Sequence, residues 1–308
     1  MGELWRIFND YQYGHCRTDC QCIKEPLSFI SLGGVVQPVL FKVGAFELRG
    51  YGLMLALSFL LGIMLAVHRA KKRDVNPNHV MDLSVIILIS AIVGSRFLYV
   101  VAHLDEFRGH WLDTINPFQS SGQIGLAGLT LLGGVILSFI SSFVYLRQKK
   151  LPFLRFADVV IPSVGLGIFL TRIGCFLNGC CYGLPCEHGH LCVTFPADSA
   201  AGSVFPGVPL IPTQLYSSLY GLIIFVALLA MDRKKHFEGY LFYWFLILYG
   251  ISRFIIDIFR YYESSMVLFK IGGLGLSVNQ GISILFVIAG IVALYFGSRV
   301  SSEKDATA

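Results

Sequence analysis

The sequence predicts an all-α membrane protein with seven transmembrane helices, an external N-terminus, a cytoplasmic C-terminus and a polar cavity that opens outward or laterally. Only 14% of its 308 residues are charged, against about 25% in soluble domains, and its mean hydropathy is +0.67. Seven apolar runs approach the roughly 20 residues that a helix needs to cross the hydrocarbon layer. Basic residues also alternate between the loops that separate these runs.

The seven apolar runs cover most of the chain after residue 45. In chain order they are residues 51–68, 83–103, 124–146, 157–181, 213–231, 239–258 and 278–298. They predict an external, cysteine-containing segment at residues 1–45 and a transmembrane domain at residues 46–298. Residues 182–212 form its main external loop, and residues 299–308 form a cytoplasmic tail.

The distribution of Lys and Arg between the loops predicts the orientation of the chain in the membrane. Clusters of basic residues follow the first run ("RAKKRD"), the third run (residues 147–155) and the fifth run ("RKK" at 233–235), whereas residues 182–212 contain no Lys or Arg. Short loops rich in Lys and Arg stay in the cytoplasm. This alternation places the N-terminus outside and the C-terminus inside.

All eight cysteines fall on or near the predicted outer side, where an oxidising environment permits disulfides. Their positions are Cys16, Cys20, Cys22, Cys175, Cys180, Cys181, Cys186 and Cys192. Spacing does not determine their pairing. The stretch "HCRTDCQC" is also compatible with metal binding, and in a reducing compartment all eight would be thiols. Disulfides are favoured, and we expect no metal site and no cofactor.

Three arginines lie within apolar runs, at Arg96, Arg172 and Arg253. An arginine at the centre of a transmembrane helix costs about 2.5–3.5 kcal/mol on insertion scales. A single one is compatible with a structural ion pair or with a side chain that reaches the interface. Three such residues, with glycines beside them, favour an anionic ligand.

The sixth run carries a polar stripe. Tyr249, Arg253, Asp257 and Arg260 are separated by four, four and three residues, which places them along one face of a helix. Asp257 can hold Arg253 in position, and the planar guanidinium suits a pair of phosphate oxygens. A structural Arg–Asp pair explains Asp257 but not the excess of positive charge.

The fourth run ends in "LTRIGCFLNGCCYG", in which Gly174 and Asn178 accompany Arg172. Glycine allows close helix packing and close approach of the backbone to a ligand. Irregular backbone at membrane depth is tolerated where it lines a cavity. These residues indicate a polar cavity for a phosphate or phospholipid near the outer leaflet. They do not separate an enzyme from a lipid transporter or a channel.

Six motifs in order resemble one family. They are "LRGYGLMLALSF", "VGSRFLYV", "TRIGCFLNGCCYG", "IPTQLYSSLYG", "YGISRFIIDIFR" and "LSVNQGISI". Over residues 40–298 the chain resembles the prolipoprotein diacylglyceryl transferase family. The resemblance implies transfer of the sn-1,2-diacylglyceryl group of phosphatidylglycerol to the lipobox cysteine thiol of a prolipoprotein, with release of glycerol 1-phosphate.

The implied setting is the bacterial cytoplasmic (inner) membrane. The implied partners are phosphatidylglycerol, prolipoprotein signal peptides with a lipobox and membrane lipid, and no nucleic acid. A non-catalytic phospholipid-binding or lipid-transport paralogue on the same fold is the alternative.

The resemblance also implies residue roles. The implied catalytic residues are Arg172, Arg253, Tyr249 and Asp257. The implied substrate-binding residues are Tyr51, Arg96, Asn178, Gly174, Gln214, Arg260 and Gln280.

The chain departs from the family pattern at several positions. Leu132 occupies the place of a histidine proposed as the base for the thiol, and a leucine cannot accept a proton. Cys175 and Cys180 replace an asparagine and a glutamate, while Ile211 and Ser217 replace a histidine and a glutamate. Either the cationic cavity ionises the thiol, or Asp257 or a tyrosine acts instead, or activity is altered or lost. A nucleophilic cysteine is disfavoured, because no His or Asp spacing supports a dyad.

Overall fold

A computed structural model describes residues 36, 39–43, 46–107, 130–186, 192–234, 236–261, 267–271 and 274–307. The N-terminal cysteines Cys16, Cys20 and Cys22 lie outside these residues. Predictions for them stay predictions.

The longer described helices follow the predicted apolar runs, and two short ones, Leu104–Phe107 and Ala200–Val204, lie between those runs. They are α1 (Gly50–Lys72), α2 (Pro77–Ala102), α3 (Leu104–Phe107), α4 (Leu131–Gln148), α5 (Phe153–Asn178), α6 (Ala200–Val204), α7 (Thr213–Met231), α8 (Tyr240–Ile258) and α9 (Val278–Thr307). Because α9 continues to Thr307, the predicted tail at residues 299–308 begins inside a helix.

Within the described residues, six helices are long and apolar enough to cross a membrane: α1, α2, α5, α7, α8 and α9. The chain is therefore a multi-pass helical membrane protein. The predicted third run, residues 124–146, corresponds to α4, whose apolar part spans Leu132–Gln148 and is shorter than a full crossing. The first residues of that run lie outside the described part of the chain, so the seventh crossing stays a prediction.

Three short antiparallel strand pairs accompany the helices, which the all-α prediction did not include. Strands β1 (Val39–Val43) and β2 (Phe46–Arg49) lead into α1, and β5 (Val267–Ile271) and β6 (Leu274–Ser277) lead into α9. Strands β3 (Val193–Thr194) and β4 (Pro209–Leu210) pair within the predicted external loop. The two longer pairs are each separated by two residues that include glycine, a spacing typical of hairpins that the sequence does contain.

The chain divides into two compact units. Unit 1 comprises residues 1–62 and 160–308, and unit 2 comprises residues 63–159. In unit 2, α2 and α4 pack with their backbones in close contact, because a Cβ on Gly94 would collide with the Gly133 carbonyl. Thr130 Oγ1 donates to the Ser95 carbonyl at 3.1 Å. Small residues and interhelical hydrogen bonds of this kind are typical of helix association in membranes.

The remaining faces of α2 and α4 are apolar and exposed. The side chains of Phe97, Ile89, Val135 and Phe139 are each more than half exposed. A contiguous apolar surface of this kind is rare on soluble proteins. It is the surface expected of helices that contact lipid.

Unit 1 holds the polar residues singled out in the sequence. Helix α7 packs closely on α5, where a Cβ on Gly221 would lie 2.8 Å from the Phe169 amide nitrogen. Ser218 Oγ donates to the Phe169 carbonyl at 2.9 Å. Helix α8 packs on α9, where a Cβ on Gly250 would lie 2.8 Å from the Ser283 carbonyl oxygen. These contacts fix the helices that carry the arginines.

Candidate functional site

The polar stripe of α8 forms an ion pair inside unit 1. Arg253 Nη2 lies 3.5 Å from Asp257 Oδ1, and the side chains are 11% and 1% exposed. Asp257 Oδ2 also accepts a hydrogen bond from Ser277 Oγ. Tyr249, one turn before Arg253, stacks on Phe245 with a centroid distance of 5.5 Å. The pairing expected from the spacing is present, and Asp257 holds the guanidinium from one side.

Ser277 also caps the start of α9. Its Oγ accepts from the Gln280 backbone N–H at 3.1 Å, and Gln280 Oε1 accepts from the Ser277 backbone N–H at 3.1 Å. This reciprocal pair is a capping box. The motif "LSVNQGISI" contains Ser277, but no role was predicted for this residue, although the spacing Ser-x-x-Gln is the signal for such a cap. Gln280, which the sequence predicts to bind substrate, therefore also caps the start of α9 through its contacts with Ser277.

A tight turn follows α5. The Gly179 N–H donates to the Phe176 carbonyl and the Cys180 N–H to the Cys175 carbonyl, each at 3.1 Å. Gly179 and Cys181 have positive φ angles of 68° and 61°. This left-handed backbone folds the chain back under the helix end, as in common C-terminal caps.

Two buried residues of α7 fix this turn. Thr213 Oγ1 donates to the Cys181 carbonyl at 2.9 Å, and Gln214 Nε2 donates to the Cys180 carbonyl at 2.9 Å. Gln214 is fully buried, and its Oε1 has no hydrogen-bond partner among the described residues. Gln214 therefore supports the turn and keeps one acceptor available inside the site.

The two intramembrane arginines of unit 1 share a neighbour. Tyr220 on α7 lies within electrostatic range of Arg172 and Arg253, and also of Tyr249. The Tyr220–Tyr249 ring centroids are 6.4 Å apart. Tyr220 is buried, and its hydroxyl lies within hydrogen-bonding reach of the Ser217 side chain. It was not singled out in the sequence, where it ends the stretch "IPTQLYSSLY" as one of two tyrosines.

Tyr51 faces the end of α5. It lies within electrostatic range of Arg172, Cys175, Cys180 and Cys181. Gly174 makes this approach possible, because a Cβ there would lie 3.3 Å from Tyr51 Cα and 3.0 Å from Met54 Cβ. Tyr51, Arg172 and Gly174, separated in sequence, are thus neighbours.

A substitution at Gly174 should therefore impair function without unfolding the protein. In Gly174→Ala the new methyl group displaces Tyr51 by a few tenths of an ångström, and small misplacements in active sites can cost about tenfold or more. Gly52→Ala is the matched control, because a Cβ on Gly52 has no neighbour within 4 Å. We expect both variants to accumulate in the membrane, with loss of activity confined to Gly174→Ala. Equal activity of the two would show that the approach of Tyr51 is unimportant.

Arg260 reaches the turn from the other side. It forms an antiparallel β-bridge with Gly183, and the Leu184 N–H donates to the Phe259 carbonyl at 3.0 Å. Arg260 lies within electrostatic range of Cys181, as Arg172 does. Asn178, the last residue of α5, lies within hydrogen-bonding reach of the Cys180 thiol. The predicted residues Asn178 and Arg260 therefore belong to the same region.

The five cysteines around this region fall into two groups. Cys186 and Cys192 form a disulfide, in agreement with the disulfide expected on this side. Cys175, Cys180 and Cys181 are free thiols whose Sγ atoms all lie within 4.8 Å of one another. The sequence showed their spacing but not this convergence, which depends on the turn after α5.

Two positions of interest lie in unit 2. Arg96 is buried and lies over the Tyr99 ring at 5.8 Å, and its predicted contact with substrate stays a prediction. Leu132 is 58% exposed at the start of α4. Its exposed apolar side chain offers no group for proton transfer.

The site in unit 1 combines three guanidinium groups, Arg172, Arg253 and Arg260, with one buried carboxylate, Asp257. Guanidinium groups bind phosphate oxygens in a bidentate manner. Tyr51, Tyr220 and Tyr249 add hydroxyl groups that can donate to the same anion. The arrangement is suited to a phosphate ester and to stabilising negative charge that develops on it.

Comparisons with known proteins agree with this chemistry. The sequence profile of the family described as prolipoprotein diacylglyceryl transferase matches residues 38–296. Three relatives with the name phosphatidylglycerol–prolipoprotein diacylglyceryl transferase are similar over most of their length. The Clostridium tetani protein is 32% identical over 83% of this chain and 96% of its own. The Clostridium botulinum (strain Hall) protein is 30% identical over 87% and 99%, and Clostridium perfringens transferase 1 is 33% identical over 84% and 94%.

Proposed function

The chain belongs to the prolipoprotein diacylglyceryl transferase family, a family of transferases of lipoprotein biosynthesis, and we propose that it uses phosphatidylglycerol and prolipoproteins as substrates. It transfers the sn-1,2-diacylglyceryl group to the lipobox cysteine thiol and releases glycerol 1-phosphate. The observation that carries the proposal is that Arg172 and Arg253 both lie within electrostatic range of the buried Tyr220. Two cations and a buried hydroxyl suit the phosphodiester of the lipid.

The residues have distinct roles in this reaction. The arginines bind the phosphate, and the substrate thiolate attacks the glycerol carbon that carries it. The thiol first gives its proton to water; the carbon–oxygen bond then breaks and the phosphate leaves with the electron pair. Because negative charge grows on the leaving phosphate, fixed cations stabilise the transition state more than the bound lipid. Asp257 positions Arg253 for this task.

We place the protein in the bacterial cytoplasmic membrane with seven crossings, the N-terminus outside and the C-terminus inside. Residues 1–45 and 182–212 are then external, and the cavity opens outward and laterally to lipid. The distribution of Lys and Arg between the apolar runs supports this orientation. The Cys186–Cys192 disulfide is consistent with an oxidising environment around residues 182–212, as expected outside the cytoplasm.

This orientation predicts a labelling pattern in intact cells. After mild reduction, a membrane-impermeant thiol reagent should modify Cys186, which peptide mass spectrometry can follow. A cysteine introduced at Gln148, an exposed position at the end of α4, should stay unmodified until the membrane is permeabilised. The reverse pattern would contradict the orientation.

The alternative is a phospholipid-binding or lipid-transport paralogue, favoured by the absence of a proton acceptor at Leu132. Incubating the purified protein with phosphatidylglycerol and a lipobox peptide distinguishes the two, with mass spectrometry of the peptide as the readout. We expect the peptide to gain the diacylglyceryl mass. A paralogue without activity would bind or move phosphatidylglycerol but leave the peptide unmodified, while a family relative assayed alongside modifies it.

A further inference from the structure

Three sulfur atoms converge beside the arginines. The Sγ atoms of Cys175, Cys180 and Cys181 lie within 4.8 Å of one another, and the three residues are free thiols. Zinc–sulfur bonds of about 2.3 Å in a tetrahedral site require sulfur atoms about 3.8 Å apart. The present separation exceeds that value by at most about 1 Å, which small side-chain rotations can supply. The three thiols are therefore close to the geometry of a metal site.

Hydrogen bonds within the protein hold the backbone that carries these thiols, before any metal binds. Cys175 lies in the last turn of α5, and the capped turn that follows brings Cys180 and Cys181 back towards it. The carbonyls of Cys180 and Cys181 accept hydrogen bonds from Gln214 and Thr213, both fully buried. Sites held by such supporting contacts lose little entropy when a ligand binds.

The surrounding charges favour thiolates. Arg172 and Arg260 both lie within electrostatic range of Cys181. Three thiolates and a divalent cation carry a net charge of −1, which these guanidinium groups can balance. Thiolates select soft or borderline ions such as zinc over magnesium or calcium. Carboxylates, which the hard cations require, are not part of this cluster.

We propose that Cys175, Cys180 and Cys181 bind a zinc ion whose fourth position receives the cysteine thiol of the incoming prolipoprotein. Three protein ligands and one open position are the pattern of catalytic zinc sites, whereas structural sites are closed by four. Cys175 is buried, whereas Cys180 and Cys181 are only half-buried, so part of the cluster is accessible from outside the protein. This proposal rests on the transferase function proposed above and adds to it a means of ionising the thiol.

The step balances without a redox partner. On coordination the substrate thiol releases its proton to water, because a thiol bound to zinc is deprotonated. The resulting thiolate attacks the glycerol carbon, the carbon–oxygen bond breaks, and the phosphate leaves with the electron pair. The product thioether is a weaker ligand than a thiolate and leaves the ion. This step requires no histidine to accept the proton of the thiol, so Leu132 does not prevent it.

The first test measures the metal itself. The full chain purified in detergent after growth with zinc should contain about one zinc per protein by elemental analysis. Replacing zinc with cobalt(II) should give thiolate-to-cobalt charge-transfer absorption. Cys175→Ala, Cys180→Ser and Cys181→Ser should each lose both signals. The matched control, with Cys16, Cys20 and Cys22 all changed to Ser, should keep them. Metal that follows the N-terminal cysteines, or wild-type protein without metal, would overturn the proposal.

The second test measures lipidation of a lipobox peptide against pH. A free thiol with a pKa near 8.5 is about 3% ionised at pH 7. Removing zinc with a chelator should therefore lower the rate about tenfold to thirtyfold at pH 7, with little change at pH 9. Zinc should restore the rate and magnesium should not. A rate unaffected by chelation would overturn the proposal.

The two tests distinguish failure of the proposed zinc site from failure of the proposed transferase function. A chain that lipidates the peptide but binds no zinc retains the proposed function and loses the metal site. A chain that binds zinc through the three cysteines but lipidates at no pH, with or without zinc, loses the proposed function and the catalytic part of this proposal. A disulfide among the three cysteines in the active protein would also exclude the ion.

Discussion

Arg172→Ala and Arg253→Ala are each expected to lower diacylglyceryl transfer at least about a hundredfold while the protein still accumulates in the membrane. Both guanidinium groups lie within electrostatic range of the buried Tyr220, where the phosphate is proposed to bind. Losing one charge-assisted contact to the transition state costs about 2.7–4 kcal/mol, which is roughly a hundredfold to a thousandfold in rate. The measurement is the initial rate of peptide lipidation at a fixed amount of purified protein.

Lysine at either position should restore only part of the rate. It keeps the positive charge but loses the planar fork that pairs with two phosphate oxygens. Arg299→Ala, an exposed residue whose guanidinium lies over the Tyr295 ring, is the matched control and should leave the rate unchanged. Near-normal activity in both alanine variants would assign Arg172 and Arg253 a structural role instead.

Asp257→Ala should be the most destabilising single change in the site. The Asp257 carboxylate is 1% exposed, pairs with Arg253 at 3.5 Å and accepts from Ser277 Oγ. Removing one member of a buried ion pair typically costs about 3–5 kcal/mol, because the remaining charge is left in a poorly solvated position. We expect a clearly lower unfolding temperature in detergent, measured by thermal denaturation.

Three further variants separate the parts of this network. Ser277→Ala keeps the ion pair and should be less destabilising than Asp257→Ala. Asp257→Asn keeps an acceptor for Ser277 but loses the charge, so its stability should fall between the two. The double variant Arg253→Ala/Asp257→Ala should recover part of the stability and none of the activity. A double variant no more stable than Asp257→Ala would contradict the ion-pair explanation.

Local pattern was sufficient to predict the long helices and the part of the polar stripe that lies in α8. The prediction was wrong for Arg260, because α8 ends at Ile258 and Arg260 instead forms a β-bridge with Gly183. Helix α7 begins and ends at the predicted residues 213 and 231, because an apolar run bounded by polar residues determines both ends of a membrane helix. The Arg253–Asp257 pair follows from their separation by four residues, since the helix repeat places them on one face.

The contacts between distant segments could not be predicted in this way. Ser277, Thr213 and Tyr220 reach the site through helix packing and through the turn after α5, and no local period encodes these approaches. The convergence of three thiols likewise depends on the positive φ angles at Gly179 and Cys181. The short strand pairs were missed because they lie between or before the apolar runs, in segments of two to five residues per strand that are too short for a clear alternating pattern.

The Ser277 hydroxyl has a consequence for how the enzyme responds to heat. It accepts from the Gln280 N–H at the start of α9 and donates to Asp257 Oδ2, which pairs with Arg253. Helix ends fray before whole helices unfold, so opening of this one cap releases the carboxylate that holds the guanidinium. Catalysis should then fail at a lower temperature than the loss of helical circular dichroism, and the thermal inactivation curve would report on a single helix terminus.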